Sequence, residues 1–393
     1  MTKLSKCLNI GDLRRRAKAR LPRAMFGYID GFAEDGATGQ RNRAAFDRYQ
    51  LVPRMLSGTS AVDLSTEIFG RSHPYPVILA PTALSRLFHT EGERAVAGAA
   101  AARGLTYSLS TLSSFPIEEI GQIGGPRWFQ MYVYKDQDLA TDMLDRAVAS
   151  GYEALVITVD ANIGGNREHD IRNGFVIPPR PSLATIVEAA RHPSWCWDLV
   201  TKPRVSVANV GTSKAPDGTS LLSYLYSQLD QALNWDTASR LADYWRRIGG
   251  GPVLIKGLLS ASDAWIAAER GFDGIVVSNH GGRQLDHAPA SLDVLPEIVA
   301  ATGERLTIIV DSGFRRGTDI LKALILGADA CMIGRPYLFG LAAGGREGVD
   351  RALEIVLDEL VLDCRLMGCA NRTHLTAACL RDLHGTAATA SAA

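Results

Sequence analysis

Short apolar runs alternate with amphipathic segments along most of this chain. The runs are rich in valine, isoleucine and leucine and lack polar alternation, which is typical of strands buried on both faces of a parallel sheet. Eight of them are found, at Val77–Ala80, Leu105–Leu109, Trp128–Val133, Ala154–Val159, Pro252–Ile255, Gly274–Val277, Leu306–Val310 and Ala328–Ile333.

Helical patterns lie between many of these predicted strands. Each pattern ends near a glycine, a residue that commonly stops a helix. The predicted helices are Glu91–Arg103, Gln137–Ser150, Ala261–Arg270 and Thr318–Leu326. A strand–helix repeat that reaches eight strands predicts an α/β fold, a closed (β/α)8 TIM barrel rather than an open sheet.

The spacing of the strands predicts two further segments within a single domain, residues 1–384. Residues 1–75 precede the first strand and are long enough for an N-terminal capping segment of helices. The fourth and fifth strands lie roughly 90 residues apart, which is too long for one crossover and predicts a long insertion after strand 4, at 177–215. The low-complexity tail 385–393 is expected to be disordered.

Composition and charge narrow the class of protein. Lys plus Arg and Asp plus Glu both number 42, so a net charge of zero gives no sign of a nucleic-acid partner. The six cysteines form no C-x-x-C pair, no apolar leader begins the chain, and no run is long enough to span a membrane. We therefore expect a cytoplasmic protein with reduced thiols and no metal site.

Polar residues follow every predicted strand, at or just beyond its C-terminal end. A TIM barrel brings these ends to one mouth, where active sites form. One such residue alone would be read as a helix cap, whereas polar residues after all eight strands favour a functional site. They are Thr82, Ser110, Gln130 with Tyr132, Thr158 with Asp160, Lys256, Ser278 with His280, Asp311 with Gly313, and Gly334 with Arg335.

The last two strand ends predict a phosphate site. Residues 311–317 read Asp-Ser-Gly-Phe-Arg-Arg-Gly, and Gly334-Arg335 follows the eighth strand. Glycines let backbone N–H groups approach an anion, and arginine adds a bidentate charge. Neither loop is a Walker motif or a G-x-G-x-x-G fingerprint, which disfavours ATP and a Rossmann-bound NAD.

The loop after the sixth strand predicts proton chemistry on an anion. His280 and Arg283 lie three positions apart there, and Arg167 follows the fourth strand. Histidine exchanges a proton near neutral pH, and arginine clamps a carboxylate. A lone histidine is usually a buried structural residue, but the flanking glycines and Arg283 favour function. With Tyr28, Tyr132 and Lys256, the set would suit an anionic substrate that loses a proton.

Four segments resemble signatures of the FMN-dependent L-2-hydroxy acid oxidase and dehydrogenase family, which includes glycolate oxidase, flavin L-lactate dehydrogenase and mandelate dehydrogenase. They are SNHGGRQLD (278–286), DSGFRRG (311–317), WFQMYVYKD (128–136) and LVITVD (155–160). The resemblance runs from Leu21 to about Cys369. It implies an enzyme that uses FMN to oxidise an L-(S)-2-hydroxy acid, of the mandelate or lactate type, to the 2-oxo acid, with electrons passed to a quinone or another acceptor.

The resemblance also implies a role for each residue. His280 would take a proton from the substrate, Asp160 would pair with it once it is charged, and Lys256 would stabilise negative charge on the reduced flavin. Tyr132 would complete the catalytic set. The implied substrate-binding residues are Tyr28, Tyr132, Arg167, His280 and Arg283. The implied cofactor-binding residues are Pro81, Thr82, Ala83, Ser110, Gln130, Thr158, Lys256, Ser278, Asp311, Gly313, Arg315, Gly334 and Arg335.

Some alternatives stay open at this point. Leu112 stands where glycolate oxidase has a tryptophan and mandelate dehydrogenase a small residue, so the size of the substrate is not decided. An oxidase that makes hydrogen peroxide would share the first half-reaction. An isomerase of isoprenoid diphosphates would not need the pair Arg167 and Arg283. A non-catalytic flavin-binding module would not need to retain all the polar residues of the mouth.

The insertion suggests an attachment to membranes. Tryptophans beside basic residues suit a headgroup layer, and the segment 191–198 resembles membrane-associated bacterial lactate dehydrogenases. A lid over the mouth or a subunit contact is the alternative. We expect a cytoplasmic protein that is peripheral on the inner face of the membrane, and the family implies a homo-oligomer, a tetramer. The apolar and basic residues on which this prediction depends lie within 177–210. They are Arg180, Leu183, Ile186, Val187, Arg191, Trp195, Trp197, Leu199, Val200, Lys202 and Arg204.

Overall fold

The computed structural model describes residues 4–175, 187–188, 190–202, 206–210 and 227–383. Helices dominate the segment before the barrel, as predicted. Asn9 begins the first of them, because its side chain accepts a hydrogen bond from the Asp12 amide. The elements are α1 (Ile10–Arg20), α2 (Arg23–Asp30), α3 (Ala37–Asp47), β1 (Tyr49–Leu51), β2 (Thr66–Ile68) and β3 (Arg71–His73).

Eight parallel strands then close into a barrel, which confirms the predicted fold. The last strand closes onto the first, where Ile333 pairs with Leu79. Nearly all strand residues are buried, because one face of each strand packs inside the barrel and the other packs against the outer helices. They are β4 (Val77–Leu79), β5 (Thr106–Ser110), β6 (Arg127–Tyr132), β7 (Ala154–Thr158), β8 (Val253–Leu258), β9 (Gly274–Val277), β10 (Thr307–Val310) and β11 (Ala330–Ile333).

The outer helices include all four predicted ones, each within two residues at either end. Gly104, Gly151, Gly271 and Gly327 have φ between 64° and 104°, a conformation that glycine adopts readily at a helix stop. A short strand, β12 (Leu380–Asp382), pairs with β1. The helices are α4 (Gly92–Ala101), α5 (Ile117–Gly121), α6 (Gln137–Ala149), α7 (Glu168–Arg172), α8 (Pro193–Thr201), α9 (Trp235–Arg247), α10 (Ala261–Glu269), α11 (Ser291–Thr302), α12 (Gly317–Ile325) and α13 (Arg335–Leu366).

Only β8, among the eight barrel strands, has a carboxyl end that differs from the prediction by more than one residue. β8 runs to Leu258 instead of ending at Ile255, so Lys256 lies within the strand and not after it. Gly257 has a φ of 110°, and the pairing with β9 shifts register there. The lysine and the glycine interrupt the apolar run, which hid the last three residues of the strand.

The described part of the insertion corrects one prediction. Trp195 is only 8% exposed, and its indole N–H donates to the Leu87 carbonyl at 2.8 Å. Asp198 pairs with Arg20 at 2.7 Å, so α8 is held against the end of α1 and the loop after β4. The prediction that Trp195 contacts a membrane is therefore wrong, whereas Trp197 is 70% exposed.

Other predictions for these segments concern residues that the structure does not describe. Within 177–215, these are residues 177–186, 189, 203–205 and 211–215, and the tail 385–393 also lies outside the described residues. Among the described helices, none is both long and apolar enough to cross a bilayer.

Candidate active site

A deep cleft opens at the carboxyl ends of the barrel strands. Its empty volume is about 1300 Å³, counted out to its solvent-exposed mouth. Of the predicted site residues, Ser110, Asp160 and Ser278 lie behind the lining, and all the others line the cleft. The lining members are Tyr28, Pro81, Thr82, Ala83, Gln130, Tyr132, Thr158, Arg167, Lys256, His280, Arg283, Asp311, Gly313, Arg315, Gly334 and Arg335.

The loop after β9 has an unusual backbone. His280, Gly281 and Gly282 follow one another with φ of 58°, 68° and 75°. A non-glycine residue in this region is uncommon and marks a constraint that the surrounding structure must maintain. Glycine is required at the next two positions, because a Cβ would lie 2.8 Å from Arg335 and 2.7 Å from the Gly39 amide. This tight turn brings the imidazole to the cleft.

His280 is hydrogen-bonded to Asp160. The Nδ1 atom lies 2.9 Å from the carboxylate Oδ1, and the side chains are 19% and 13% exposed. Burial raises the pKa of Asp160, but the charge and hydrogen bond of His280, with the charge of Lys256, hold it below its ordinary value. An ionised Asp160 accepts a hydrogen bond from Nδ1–H of the neutral imidazole, which leaves Nε2 as the acceptor of a substrate proton.

Lys256 connects the loops that follow β9 and β10. Its Nζ donates to Ser278 Oγ at 2.6 Å and lies 2.7 Å from Asp311 Oδ2. The Ser278 hydroxyl oxygen also accepts a hydrogen bond from the backbone N–H of His280 at 3.0 Å. Lys256 and Asp311 are 4% and 10% exposed, so the pair places a desolvated positive charge at the cleft.

Two arginines reach the cleft from different loops. Arg167 donates to the Arg283 carbonyl at 3.2 Å and to Gln284 Oε1 at 3.0 Å. Arg283 donates to the Tyr28 carbonyl at 2.6 Å and lies 4.7 Å from the centre of the Tyr28 ring. That ring stacks on Phe175 with centroids 4.4 Å apart. Both guanidinium groups are therefore held in place, and that of Arg283 lies beside the Tyr28 ring.

The loop after β10 forms the other end of the cleft. Gly313 has a φ of 97°, and a Cβ there would lie 2.3 Å from the Asn42 carbonyl oxygen. Burial, together with the like charge of Arg43, lowers the pKa of Arg315 to about 10. An anion beside Arg315 would relieve both effects, which agrees with the phosphate site predicted from this loop.

Arg335 has a structural role that its position in the sequence did not indicate. It donates to the carbonyls of Ile29, Gly31 and Gly281 at 2.9, 2.8 and 2.9 Å. These bonds tie the end of α2 to the loop that carries His280. The same side chain lines the cleft.

Polar side chains from β6, β7 and the loop after β4 complete the wall. Gln130 Nε2 donates to Thr158 Oγ1 at 2.8 Å, and its buried Oε1 has no partner among the described residues. Thr82 Oγ1 lies 2.9 Å from the Tyr337 hydroxyl. The Ser110 hydroxyl accepts the Leu112 N–H at 3.2 Å, so it shapes the turn behind the lining.

Sequence reasoning missed most of an apolar wall. Phe88, Ala161 and Leu229 line the cleft together with Leu112. Ala161 directly follows Asp160 and Phe88 lies in the loop after β4, so their positions near strand ends were an available signal. Leu229 follows the insertion, where no strand pattern marks it.

The donor set fits the FMN that the resemblance implies. Gln130 offers a buried carbonyl oxygen that has no donor among the described residues, and Gly313 with the cationic Arg315 offers a place for an anion. A mononucleotide supplies ring N–H donors and a phosphate, which are the groups missing at these two places. The residues present therefore suit this cofactor.

Comparisons with known proteins agree with this geometry. A family model described as FMN-dependent dehydrogenase matches residues 17–382. The chain is 41% identical over 375 residues to L-lactate oxidase of Nostoc sp., covering 94% of this chain and 97% of the relative. It is 40% identical over 368 residues to a putative L-lactate dehydrogenase of Mycobacterium tuberculosis, covering 93% and 87%. The solved structure of the monotopic membrane protein (S)-mandelate dehydrogenase superposes with a TM-score of 0.91 at 36% identity, covering 96% of this chain and 100% of that chain.

Proposed function

Because the chain belongs to the FMN-dependent dehydrogenase family and oxidises a 2-hydroxy acid with FMN, we propose that its substrate is an L-(S)-2-hydroxy acid of the mandelate or lactate type. The supporting observation is that His280, held by Asp160, lines the same cleft as Arg167 and Arg283. A base and a carboxylate clamp suit the two polar groups of such an acid. The apolar wall beside Leu112 suits an apolar substituent on its C2 atom.

In the proposed reaction, Arg167 and Arg283 hold the substrate carboxylate, and His280 Nε2 takes one proton from the substrate. Asp160 stabilises the imidazolium that forms. Tyr28 and Tyr132 bond the carboxylate or the hydroxyl group. FMN, when bound, would supply the acceptor for the two electrons and the second proton that leave as the 2-oxo acid forms.

The proposed cofactor site uses the remaining lining residues. Lys256 supplies positive charge near the pyrimidine edge of the flavin, and Gln130 with Thr158 supplies hydrogen bonds. Gly313 and Arg315 hold the phosphate. The other proposed contacts come from Pro81, Thr82, Ala83, Ser110, Ser278, Asp311, Gly334 and Arg335.

Anaerobic flavin bleaching tests the substrate and the base. Purified enzyme is mixed with lactate, mandelate, glycolate or phenyllactate, and flavin absorbance is followed. His280→Ala should slow reduction by about 10²–10⁴-fold, the range for losing a general base, while FMN content stays at the wild-type level. Bleaching by none of these acids, or wild-type reduction by the variant, would contradict the assignment.

We further propose that electrons pass to a membrane quinone from a peripheral site on the inner face of the membrane. Trp197 and Val187 support this, since they are 70% and 57% exposed, and the mandelate dehydrogenase relative is a monotopic membrane protein. Wild type should co-sediment with anionic vesicles and reduce a quinone. Trp197→Ser should weaken sedimentation, while Trp265→Ser, at a 41% exposed tryptophan on α10, should not. Equal sedimentation of both variants would refute the role of Trp197.

An oxidase is the second candidate, because the L-lactate oxidase relative shares 41% identity with this chain. The two functions share flavin reduction and differ in the next step. Reduced enzyme is mixed with oxygen or with a quinone in a stopped-flow instrument, and hydrogen peroxide is measured. Faster reoxidation by oxygen with stoichiometric peroxide would favour the oxidase.

We also propose a tetramer of single-domain subunits, as the resemblance implies. Light scattering after size-exclusion chromatography should give four times the subunit mass. A monomer or dimer at assay concentration would contradict the tetramer. Two separate calorimetric unfolding transitions would contradict the single domain.

A further inference from the structure

Every hydrogen-bonding position of the Gln284 side-chain amide is used. Its Nε2 donates to the carbonyl oxygens of Asp160 and Ile163, both at 2.8 Å. Its Oε1 accepts the Gly165 N–H at 3.3 Å and Arg167 Nη2 at 3.0 Å. Gln284 is 9% exposed. A buried amide bonded in this way has little freedom to move.

All four partners lie in one segment, residues 160–167, which follows β7. This segment forms turns and bends but no helix or strand, so part of its backbone bonding depends on a side chain from another loop. The two loops also touch directly. A Cβ at Gly165 would lie 2.5 Å from the Arg283 carbonyl oxygen and 2.8 Å from Gln284 Cα.

The two ends of this segment carry the groups that the proposed reaction needs. Asp160 at one end holds His280 at 2.9 Å, and Arg167 at the other end lines the cleft. Gln284 bonds both ends at once, through the Asp160 carbonyl and the Arg167 guanidinium.

We propose that Gln284 is a positioning residue that fixes the Arg167 guanidinium relative to the His280 imidazole. One small acid can then meet the carboxylate clamp and the base at the same time. This inference rests on the proposed function, and it predicts that Gln284 affects catalysis by way of Arg167.

A neighbour in the same loop provides a matched control. Asp286 is 4% exposed, and its carboxylate accepts the N–H groups of Ala37 at 3.1 Å and Thr38 at 2.7 Å. It therefore caps α3, and none of the side-chain hydrogen bonds described for it reaches the 160–167 segment. Asp286→Asn should lower the melting temperature and leave KM at the wild-type value.

A double-mutant cycle tests the proposal. Gln284→Met keeps the length of the side chain and removes all four bonds. We expect kcat/KM to fall by about 100-fold, the effect of misplacing a substrate-positioning group by about 1 Å, with FMN content unchanged. Adding Gln284→Met to Arg167→Met should reduce kcat/KM no further than Arg167→Met does alone. Effects that multiply would overturn the proposal, while Asp286→Asn combined with Arg167→Met should show no coupling.

Gln284→Glu provides a second test if Gln284→Met does not fold. The introduced carboxylate keeps an acceptor for Arg167 but neutralises the charge that the substrate carboxylate needs. KM should therefore rise at neutral pH and fall again as the carboxyl group is protonated. A KM with the wild-type pH profile would overturn the proposal. If Arg167→Met itself leaves kcat/KM unchanged, the carboxylate clamp of the proposed function fails instead, so the two failures are distinguishable.

Discussion

His280 Nδ1 lies 2.9 Å from Asp160 Oδ1, although the two residues are 120 positions apart in the chain. They meet because one follows β9 and the other follows β7, and the barrel brings both strand ends to the same mouth. The contact commits one ring nitrogen of His280 to a carboxylate. Proton transfer with the substrate is thereby restricted to Nε2.

Asp160→Asn tests the value of that contact. Asparagine keeps the shape of the side chain but has no charge to stabilise an imidazolium. The rate of flavin reduction should fall by about 10²–10³-fold, the scale of losing one preorganised electrostatic partner, while KM changes little because both arginines remain. Anaerobic stopped-flow absorbance measures the rate. Reduction at the wild-type rate would show that His280 does not need this carboxylate.

Lys256 and Asp311 allow a prediction about stability. Removing one member of a buried ion pair leaves the other charge uncompensated and costs about 3–5 kcal/mol. Lys256→Met should therefore lower the melting temperature more than Lys256→Met combined with Asp311→Asn. Differential scanning fluorimetry on the FMN-free proteins gives the comparison. A double variant that is less stable than the single one would mean that Asp311 is stabilised by other groups.

Much of the barrel could be predicted because buried parallel strands leave a local signal. Four helix stops were also visible, since each uses a glycine at positive φ. The end of β8 was missed because Lys256 and Gly257 interrupt its apolar run. Lys256 is tolerated inside the strand because its charge is paired with Asp311, which follows β10. A pairing between residues so far apart in the chain leaves no trace in the local sequence.

The insertion shows a second limit of sequence reasoning. Trp195 and Trp197 lie two positions apart on α8 and therefore point to different sides of the helix. One is buried against Leu87 and the other is exposed. The composition of the segment predicted a membrane contact for both tryptophans, because composition contains no information about which side of the helix is buried. The same limit hid Leu229, whose place in the cleft depends on how the chain returns after the insertion.

Arg283→Lys separates charge from geometry at the clamp. Lysine keeps the positive charge but loses the planar fork that bonds a carboxylate at two points. We expect a higher KM and slower flavin reduction together. Arg372→Lys is the control, because Arg372 is also half-buried and bonded to backbone carbonyls. It lies beside Ala328, just before β11 begins, whereas the cleft lies at the carboxyl ends of the barrel strands. Unchanged kinetics in Arg283→Lys would mean that Arg283 does not contact the substrate.

Asp286 provides a prediction about pH. Burial raises its pKa, but hydrogen bonds from the backbone amides of Thr38, Ala37 and His287 lower it more, to about 2. A carboxyl group with a depressed folded-state pKa stabilises the protein above its unfolded value of about 3.9. That contribution is lost as the pH falls toward 2.

Asp286→Asn should therefore destabilise the protein by about 0.5–2 kcal/mol at neutral pH, the range for losing a helix cap. The difference from wild type should shrink between pH 4 and pH 2, as the wild-type carboxylate is protonated. Melting curves at intervals of half a pH unit measure this. A difference that stays constant down to pH 2 would show that the carboxylate charge does not support the cap.

Leu112 is the residue through which the size of the substrate can be tested. It is half-buried and lines the cleft, and its backbone is fixed, because its N–H donates to Ser110 Oγ at 3.2 Å and its carbonyl accepts the Leu84 N–H at 3.0 Å. A shorter side chain therefore enlarges the pocket without releasing the turn. Leu112→Ala should therefore raise kcat/KM for mandelate relative to kcat/KM for lactate. The expected change corresponds to about 1–3 kcal/mol, the scale for methylene groups in a pocket.

The control for Leu112→Ala is Leu326→Ala, which removes the same atoms from a half-buried leucine at the end of α12, away from the cleft lining. Both variants should lose some stability, because each deletes apolar contacts. Only Leu112→Ala should change the substrate ratio, since only Leu112 borders the space that a C2 substituent would occupy. A ratio that stays the same in both variants would place the C2 substituent against another part of the wall, and Phe88 and Leu229 would be the next positions to shorten.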